Sequence, residues 1–227
     1  MIHIVLCNLM EEKLRVYRKN ISCILLSNSA FSTDKNNVIF TNRRLKTIGF
    51  LGNVSFKKGI NIFFKVLEKL TFKRPIYGII GGPFQDHKSA NFTRNELKQH
   101  SFISYLGPIY DNDKEKFFNT IDLLLMPSIL EEAEPFVINE AMSYGIPVIA
   151  YNKGCIAEIV KQDSGLVVEL NVNFTNYAAK IINNWIDNPK IFNQIRTNVY
   201  NSYKETRKKS KATLEHLISQ IVNITNN

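Results

Sequence analysis

Between Lys46 and Glu169 short β-rich apolar runs alternate with helical stretches, and no other feature limits the fold as strongly. The runs are Thr47–Leu51, Ile76–Ile80, Phe102–Leu106, Asp122–Met126, Pro147–Tyr151 and Gly165–Glu169. Helical stretches lie between them, near Gly59–Leu70, Thr93–His100, Asn112–Asn119, Pro135–Tyr144 and Cys155–Lys161. A helix between two strands carries the chain back across the sheet, so the next strand runs parallel to the last. The expected class is therefore α/β, a parallel sheet with helices on both faces. In such sheets ligands sit at the carboxyl ends of the strands.

The ends of the chain read differently. Two further helical segments follow the last run, Phe174–Asp187 and Pro189–Lys211. The tail then places Leu214, Leu217, Ile218, Ile221 and Val222 at i, i+3, i+4, i+7 and i+8, the stripe of an amphipathic helix. Residues 1–45 are expected to hold no complete βαβ unit. They offer one strand, Ser22–Leu26, closed by the turn chemistry of Ser27-Asn28-Ser29. The expected division is 1–45 as a short leading segment and linker, 46–205 as the main domain, and 206–227 as the amphipathic helix.

Composition narrows the class. Of 227 residues, 44% are hydrophobic and 22% charged, which suits a packed domain rather than a disordered chain. No stretch approaches the roughly 20 apolar residues of a membrane span. The apolar start, Met1 to Cys7, is short and soon followed by Glu11 and Glu12, so it reads as the beginning of a strand or helix rather than a signal peptide. Cys7, Cys23 and Cys155 form no C-x-x-C pair, and an odd count is a poor disulfide framework; the expectation is thiols in a reducing cytoplasm. His3, His87, His100 and His216 are scattered, without metal-ligand spacing, so neither a metal nor a cofactor is expected. Asn-x-Ser/Thr triplets such as Asn91-Phe92-Thr93 reflect the high Asn content. The net charge is +9, yet no aromatic-plus-basic motif points to nucleic acid. Lys204, Arg207, Lys208, Lys209 and Lys211 share one helical side, which fits an anionic membrane surface or a solvated face equally well.

Two segments carry chemistry. The first runs from Leu130 to Ala150. Pro135 suits a helix's first turn, Gly145 a left-handed C-terminal cap, and Pro147 follows it, which delimits a helix of about ten residues. Glu132 then lies in the loop before that helix and Glu140 on the helix, facing the cleft while Phe136, Val137 and Met142 pack. A helix start beside a strand's carboxyl end presents free N–H groups to hydroxyl or phosphate oxygens. A carboxylate such as Glu140 can accept both hydroxyls of a ribose. On helix pattern alone, solvated acids on an amphipathic helix explain the segment as well. The second segment is Ile48 to Ile60, in which a strand ends at Gly52, a loop follows, and a helix begins near Gly59. Lys58 opposes the helix dipole there, a conflict that a bound diphosphate would remove. A basic surface loop is the bland reading.

Taken together, and with Gly81-Gly82-Pro83 and Leu106-Gly107-Pro108 between them, these segments resemble the C-terminal domain of family 4 glycosyltransferases of the GT-B fold. That family shows a glycine-arginine pair, four intervening residues and then lysine-glycine, matched here by Gly52, Asn53, Lys58 and Gly59. It also shows proline-serine, two acids eight positions apart, and a helix ending before Gly-x-Pro-Val. Those are Pro127-Ser128, Glu132, Glu140-Ala141-Met142 and Gly145 to Val148 here, followed by Gly154 to Val160. The match covers over half the chain. The resemblance implies a Rossmann-like donor domain, the C-terminal half of a GT-B fold, that binds a nucleotide sugar as substrate and needs no metal. It implies that Lys58 contacts the donor diphosphate beside Gly52 and Asn53. Glu140 would hold the ribose, and Glu132 with the backbone of Pro135, Phe136 and Val137 the donor sugar. Main-chain groups of Gly107, Pro108 and Ile109 would receive the base. Lys58 and Glu132 would serve the reaction itself, sugar transfer with retained anomeric configuration.

Two departures from the family pattern stand out. Asn53 replaces the arginine, and Asn cannot supply a bidentate guanidinium. Residues 1–45 resemble only the last strand and linker of the acceptor-binding N-terminal domain, a remnant with most of that domain missing, so a separate polypeptide is an expected partner. The family places such enzymes in cell-surface polysaccharide or glycolipid synthesis, in the cytoplasm or at the inner face of the membrane. A non-catalytic nucleotide-sugar-binding module and an inactive remnant are the alternatives.

Overall fold

The computed structural model describes residues 2–32, 42–71 and 75–225. Its main sheet has six parallel strands. These are β3 (Thr47–Leu51), β4 (Tyr77–Gly81), β5 (Ile103–Tyr105), β6 (Leu123–Met126), β7 (Val148–Tyr151) and β8 (Gly165–Val168), in the spatial order β5-β4-β3-β6-β7-β8. The chain first winds outward through β4 and β5, then returns to lay β6 against the other edge of β3. This is the doubly wound order, and the return leaves a crevice between the carboxyl ends of β3 and β6.

Helices fill both faces. In chain order they are α2 (Ile60–Thr71), α3 (His87–Gln99), α4 (Asp111–Thr120), α5 (Phe136–Ser143), α6 (Ile156–Ile159), α7 (Phe174–Asp187) and α8 (Pro189–Thr225). The alternation of side chains along a strand divides the core in two. Leu123 and Leu125 pack in one cluster with Phe63, Phe64 and Leu67 of α2 and Ile182 and Trp185 of α7. Leu124 and Met126 pack in the other with Phe118 of α4, Ile138 and Met142 of α5, and Val199 and Tyr203 of α8. All four residues of β6 are buried, as expected of a central parallel strand.

Most boundaries follow the sequence within a residue or two. Helix α5 has Pro135 at its N-cap, and Gly145, at φ 65°, ends it where the left-handed cap was expected. Helix α3 departs further, starting at His87 rather than near Thr93. Asp86 caps it by accepting the Ser89 N–H at 2.7 Å, which also holds the Asp86 carboxyl below the usual carboxylate range. Helix α8 runs unbroken from Pro189 to Thr225, because neither Gly nor Pro interrupts it; the expected boundary at 205/206 falls inside it. Residues 226–227, and 33–41 of the expected linker, lie outside the described residues.

The leading segment requires a correction. β1 (Ile2–Val5), α1 (Asn8–Tyr17) and β2 (Ser22–Leu25) form a complete βαβ unit, with β1 and β2 paired in parallel from Ile2–Ser22 to Val5–Leu25. The strands are four residues each, and α1 has no fully buried residue, its Val16 and Tyr17 being exposed, so the unit is short and shallowly packed.

Candidate functional site

The crevice at the switch point holds a cavity of about 530 Å³. Gly52 and Asn53 enter it from the end of β3, Met126 from the end of β6, and Pro135, Phe136 and Val137 from the start of α5. Ile109 and Gly82 line the side toward β4 and β5. The loop from Gly52 to Gly59 reaches across the end of β6 closely enough that only glycine serves at position 59. Gly59 has φ 84°, and a Cβ there would stand 2.2 Å from the Pro127 carbonyl oxygen. That approach aims Lys58, one residue earlier, at the loop following β6.

Two ion pairs organise the charge. Lys58 Nζ lies 2.5 Å from Glu132 Oε1, which also accepts the Ser128 hydroxyl at 2.7 Å. Lys114 Nζ, from the first turn of α4, lies 2.8 Å from Glu140 Oε1. Glu132 is 11% exposed and Glu140 25%, so both acids are largely withdrawn from water. Two cations against two anions leave the four groups neutral in sum. No side chain caps α5, and its first turn opens on the same cavity.

Of the residues expected here from sequence, Gly52, Asn53, Lys58, Ile109, Pro135, Phe136, Val137 and Glu140 line the cavity. Glu132 joins them through Lys58. Phe136 was expected to pack, but it is half exposed and forms part of the cavity wall. Gly107 and Pro108 do not line it. The Gly107 carbonyl accepts the Gly82 N–H at 2.8 Å, and Gly82 faces the cavity. Lys114 was not foreseen. Its only sequence signal is a cation in the first turn of a helix, where the dipole disfavours it.

Behind the cavity, the leading βαβ unit braces the loop that carries Glu132. Glu134, 5% exposed, accepts the Asn28 N–H at 2.9 Å, the Asn139 side-chain amide at 2.7 Å and the Ser27 hydroxyl at 2.5 Å. Glu131 pairs with Lys13 and, at 3.3 Å, with Lys153; these two lysines, Lys13 foremost, hold its carboxyl below the usual range. Glu158 of α6 caps α1 from outside, accepting the Asn8 and Leu9 N–H groups at 2.9 Å each, while Cys7 at the N-cap makes no side-chain cap bond. Cys7 and Cys155 form a disulfide, with Cα atoms 6.1 Å apart. The expectation of unpaired cysteines therefore fails for these two, because a partner 148 residues away leaves no spacing motif. Cys155 also donates its N–H to the Glu132 carbonyl at 2.8 Å, so the bridge ends one hydrogen bond from the site.

Among the described residues, two groups combine His, Cys and carboxylate atoms closely enough to hold a metal ion. In the first, Cys7, Cys155 and Glu158 are engaged in the disulfide and the α1 cap. The second, Glu68, Glu96 and His100, lies on α2 and at the end of α3, and none of its residues lines the cavity. No helix among the described residues is long and apolar enough to cross a membrane.

Comparison with known proteins gives a consistent result. The family model "Glycosyl transferases group 1" matches residues 32–202. A glycosyltransferase of Methanocaldococcus jannaschii is 24% identical over 163 residues, covering 70% of this chain and 41% of the relative. A protein of the cps region of Klebsiella pneumoniae is 30% identical over 133 residues, covering 59% of this chain and 34% of the relative. The chain thus spans well under half the length of these curated relatives. Among solved structures, sucrose-phosphate synthase from Thermosynechococcus elongatus superposes with a TM-score of 0.77 at 18% identity, over 98% of this chain and 59% of that one. HepE of Anabaena, solved with UDP and glucose, gives a TM-score of 0.74 at 16% identity, over 96% of this chain and 62% of that one. These likenesses establish the GT-B type of fold.

Proposed function

The chain belongs to the group 1 glycosyl transferases, and on that premise we propose that it holds a nucleotide-sugar donor in the β3–β6 crevice for transfer with retained configuration. The observation that carries this reading is the convergence of two distant segments at the topological switch point, where Lys58 and Glu140 line one cavity and Glu132 is paired to Lys58. In this reading the donor diphosphate lies against Lys58, Gly52, Asn53 and the first turn of α5. Glu140 accepts the ribose hydroxyls. Glu132 and the backbone at Pro135 to Val137 meet the sugar, and the base lies toward Gly107, Pro108 and Ile109. The UDP complexes of HepE and of another structural neighbour, TarM, support a nucleoside-diphosphate ligand.

The reacting charge accounts for the residue types. As the glycosidic bond breaks, negative charge grows on the leaving diphosphate. Lys58 and the α5 N–H groups stand where that charge develops, so they favour the transition state over the bound donor. Lys58 has three donors, and Glu132 takes one of them. Transfer also needs an oriented acceptor. The matched region is well under half of each relative, and the acceptor surface is assigned to a further domain or a separate polypeptide. Cell-surface polysaccharide or glycolipid synthesis is the proposed setting, with the basic side of α8 at Lys204, Lys208 and Lys211 available to anionic lipid headgroups.

Calorimetry with UDP-, GDP- and ADP-sugars tests the site. One of them binds saturably, and Lys58→Ala and Glu140→Ala each weaken it by about 1–3 kcal/mol, the range for a charged hydrogen bond. Unchanged affinity in both variants sinks the assignment. Product anomers read by NMR, with the acceptor domain supplied, decide retention.

A further inference from the structure

Helix α4 begins at Asp111, directly after the Gly107–Tyr110 segment, and sets Lys114 one turn in. A cation there works against the helix dipole, so the helix itself does not favour it. Its ammonium instead crosses to α5 and meets Glu140 at 2.8 Å, inside the wall of the crevice. The pair is 30% and 25% exposed, unlike the solvated surface pair Lys116–Asp113 on the same helix, which is 82% and 58% exposed.

Glu140 faces two problems that this contact resolves. An anionic diphosphate entering the crevice is repelled by a bare carboxylate, and a charged neighbour cancels that field. A carboxylate free to rotate also loses entropy when it orients for a diol. The ammonium takes one lone pair of Oε1, leaving Oε2 and a second lone pair of Oε1 for two incoming hydroxyls.

We propose that Lys114 is a positioning residue for ribose recognition, holding Glu140 so that its open lone pairs match the 2′- and 3′-hydroxyls of the nucleotide. This rests on the donor reading above and assigns it a selectivity, for ribonucleotide over 2′-deoxyribonucleotide. A purely structural tie between α4 and α5 gives no such selectivity, since both ligands would then lose affinity alike.

The experiment measures dissociation constants of UDP, GDP, ADP and CDP, each beside its 2′-deoxy counterpart, for the wild-type chain and for Lys114→Met and Lys114→Arg. The wild type prefers the ribonucleotide of whichever base binds. Lys114→Met weakens that ribonucleotide by about tenfold, as for a lost charged hydrogen bond, and the 2′-deoxy form by much less, so the preference collapses. Lys114→Arg retains part of it. Equal losses on both ligands, or no loss on either, overturn the inference while leaving the donor reading standing. A wild type that binds none of the four diphosphates overturns the donor reading first, and this inference with it.

Discussion

The crevice and the seam behind it use acidic residues in opposite ways. In the crevice, Glu132 and Glu140 are each held by a lysine side chain, and each pair retains some contact with water. In the seam, Glu134 and Glu158 are held largely by backbone N–H groups and side-chain amides. A lysine can turn toward an incoming phosphate, because its stem is flexible and its donors rotate. A backbone amide cannot. Exchangeable partners therefore mark the region built to meet a ligand and fixed partners the region that joins two parts of the fold; Glu131, half exposed at the edge of the seam, is the exception and pairs with lysines as surface acids do.

That contrast can be broken at several points. The largest effect is expected at the seam. The Cys7–Cys155 bridge closes a loop across 148 residues, and the chain-entropy account gives about 5 kcal/mol for a loop of that size. Urea unfolding of the oxidised chain should lose that amount on adding dithiothreitol, whereas Cys7→Ser should not respond to it. A reductant-insensitive midpoint would remove the bridge from the picture. Next, Glu134→Ala leaves buried donors at Asn28 and Asn139 unpaired and is expected to cost about 3 kcal/mol of stability. Glu140→Ala in the crevice should cost less than about 1 kcal/mol. Denaturation midpoints in the reverse order would end the distinction between the two regions.

A smaller effect sharpens the ligand side. Asn53→Arg restores a fork-shaped diphosphate partner and is expected to tighten the donor by about 1 kcal/mol, read by calorimetry. No gain would place the diphosphate away from position 53. The smallest effect depends on pH. Glu131, exposed between Lys13 and Lys153, has its carboxyl lowered by both. A lowered folded value means that it stabilises the fold above the ordinary carboxylate pKa and that this is lost as pH falls through the folded value. The melting difference between wild type and Glu131→Gln should therefore be present at neutral pH and close under acid conditions. A difference constant with pH would exclude the Lys13 contact as its source.

How much was legible follows from contact range. Thr47–Leu51 and Phe174–Asp187 match their expected bounds because each carries its own period and its own punctuation. The Gly145 cap was legible for the same reason: a left-handed position is a local demand that glycine meets. The βαβ unit at the start was not, since its strands are short, no residue of α1 is fully buried, and the helix start rests on a cap supplied by Glu158. Lys114 was missed because its meaning lies in Glu140, 26 residues on and on another helix. Glu134 read as one more acid in an acidic run, although Ser27, Asn28 and Asn139 enclose it.

The sequence by itself determined the sheet, its parallel sense and the segments that reach its carboxyl edge, because period, caps and turns act within a few residues. Only the tertiary structure decided which charge meets which: Lys58 with Glu132, Lys114 with Glu140, Glu158 with the start of α1, Cys7 with Cys155. Those pairings depend on how the doubly wound path folds distant segments together. Coulomb attraction and hydrogen bonding reward proximity in space, and the linear order of residues does not record it.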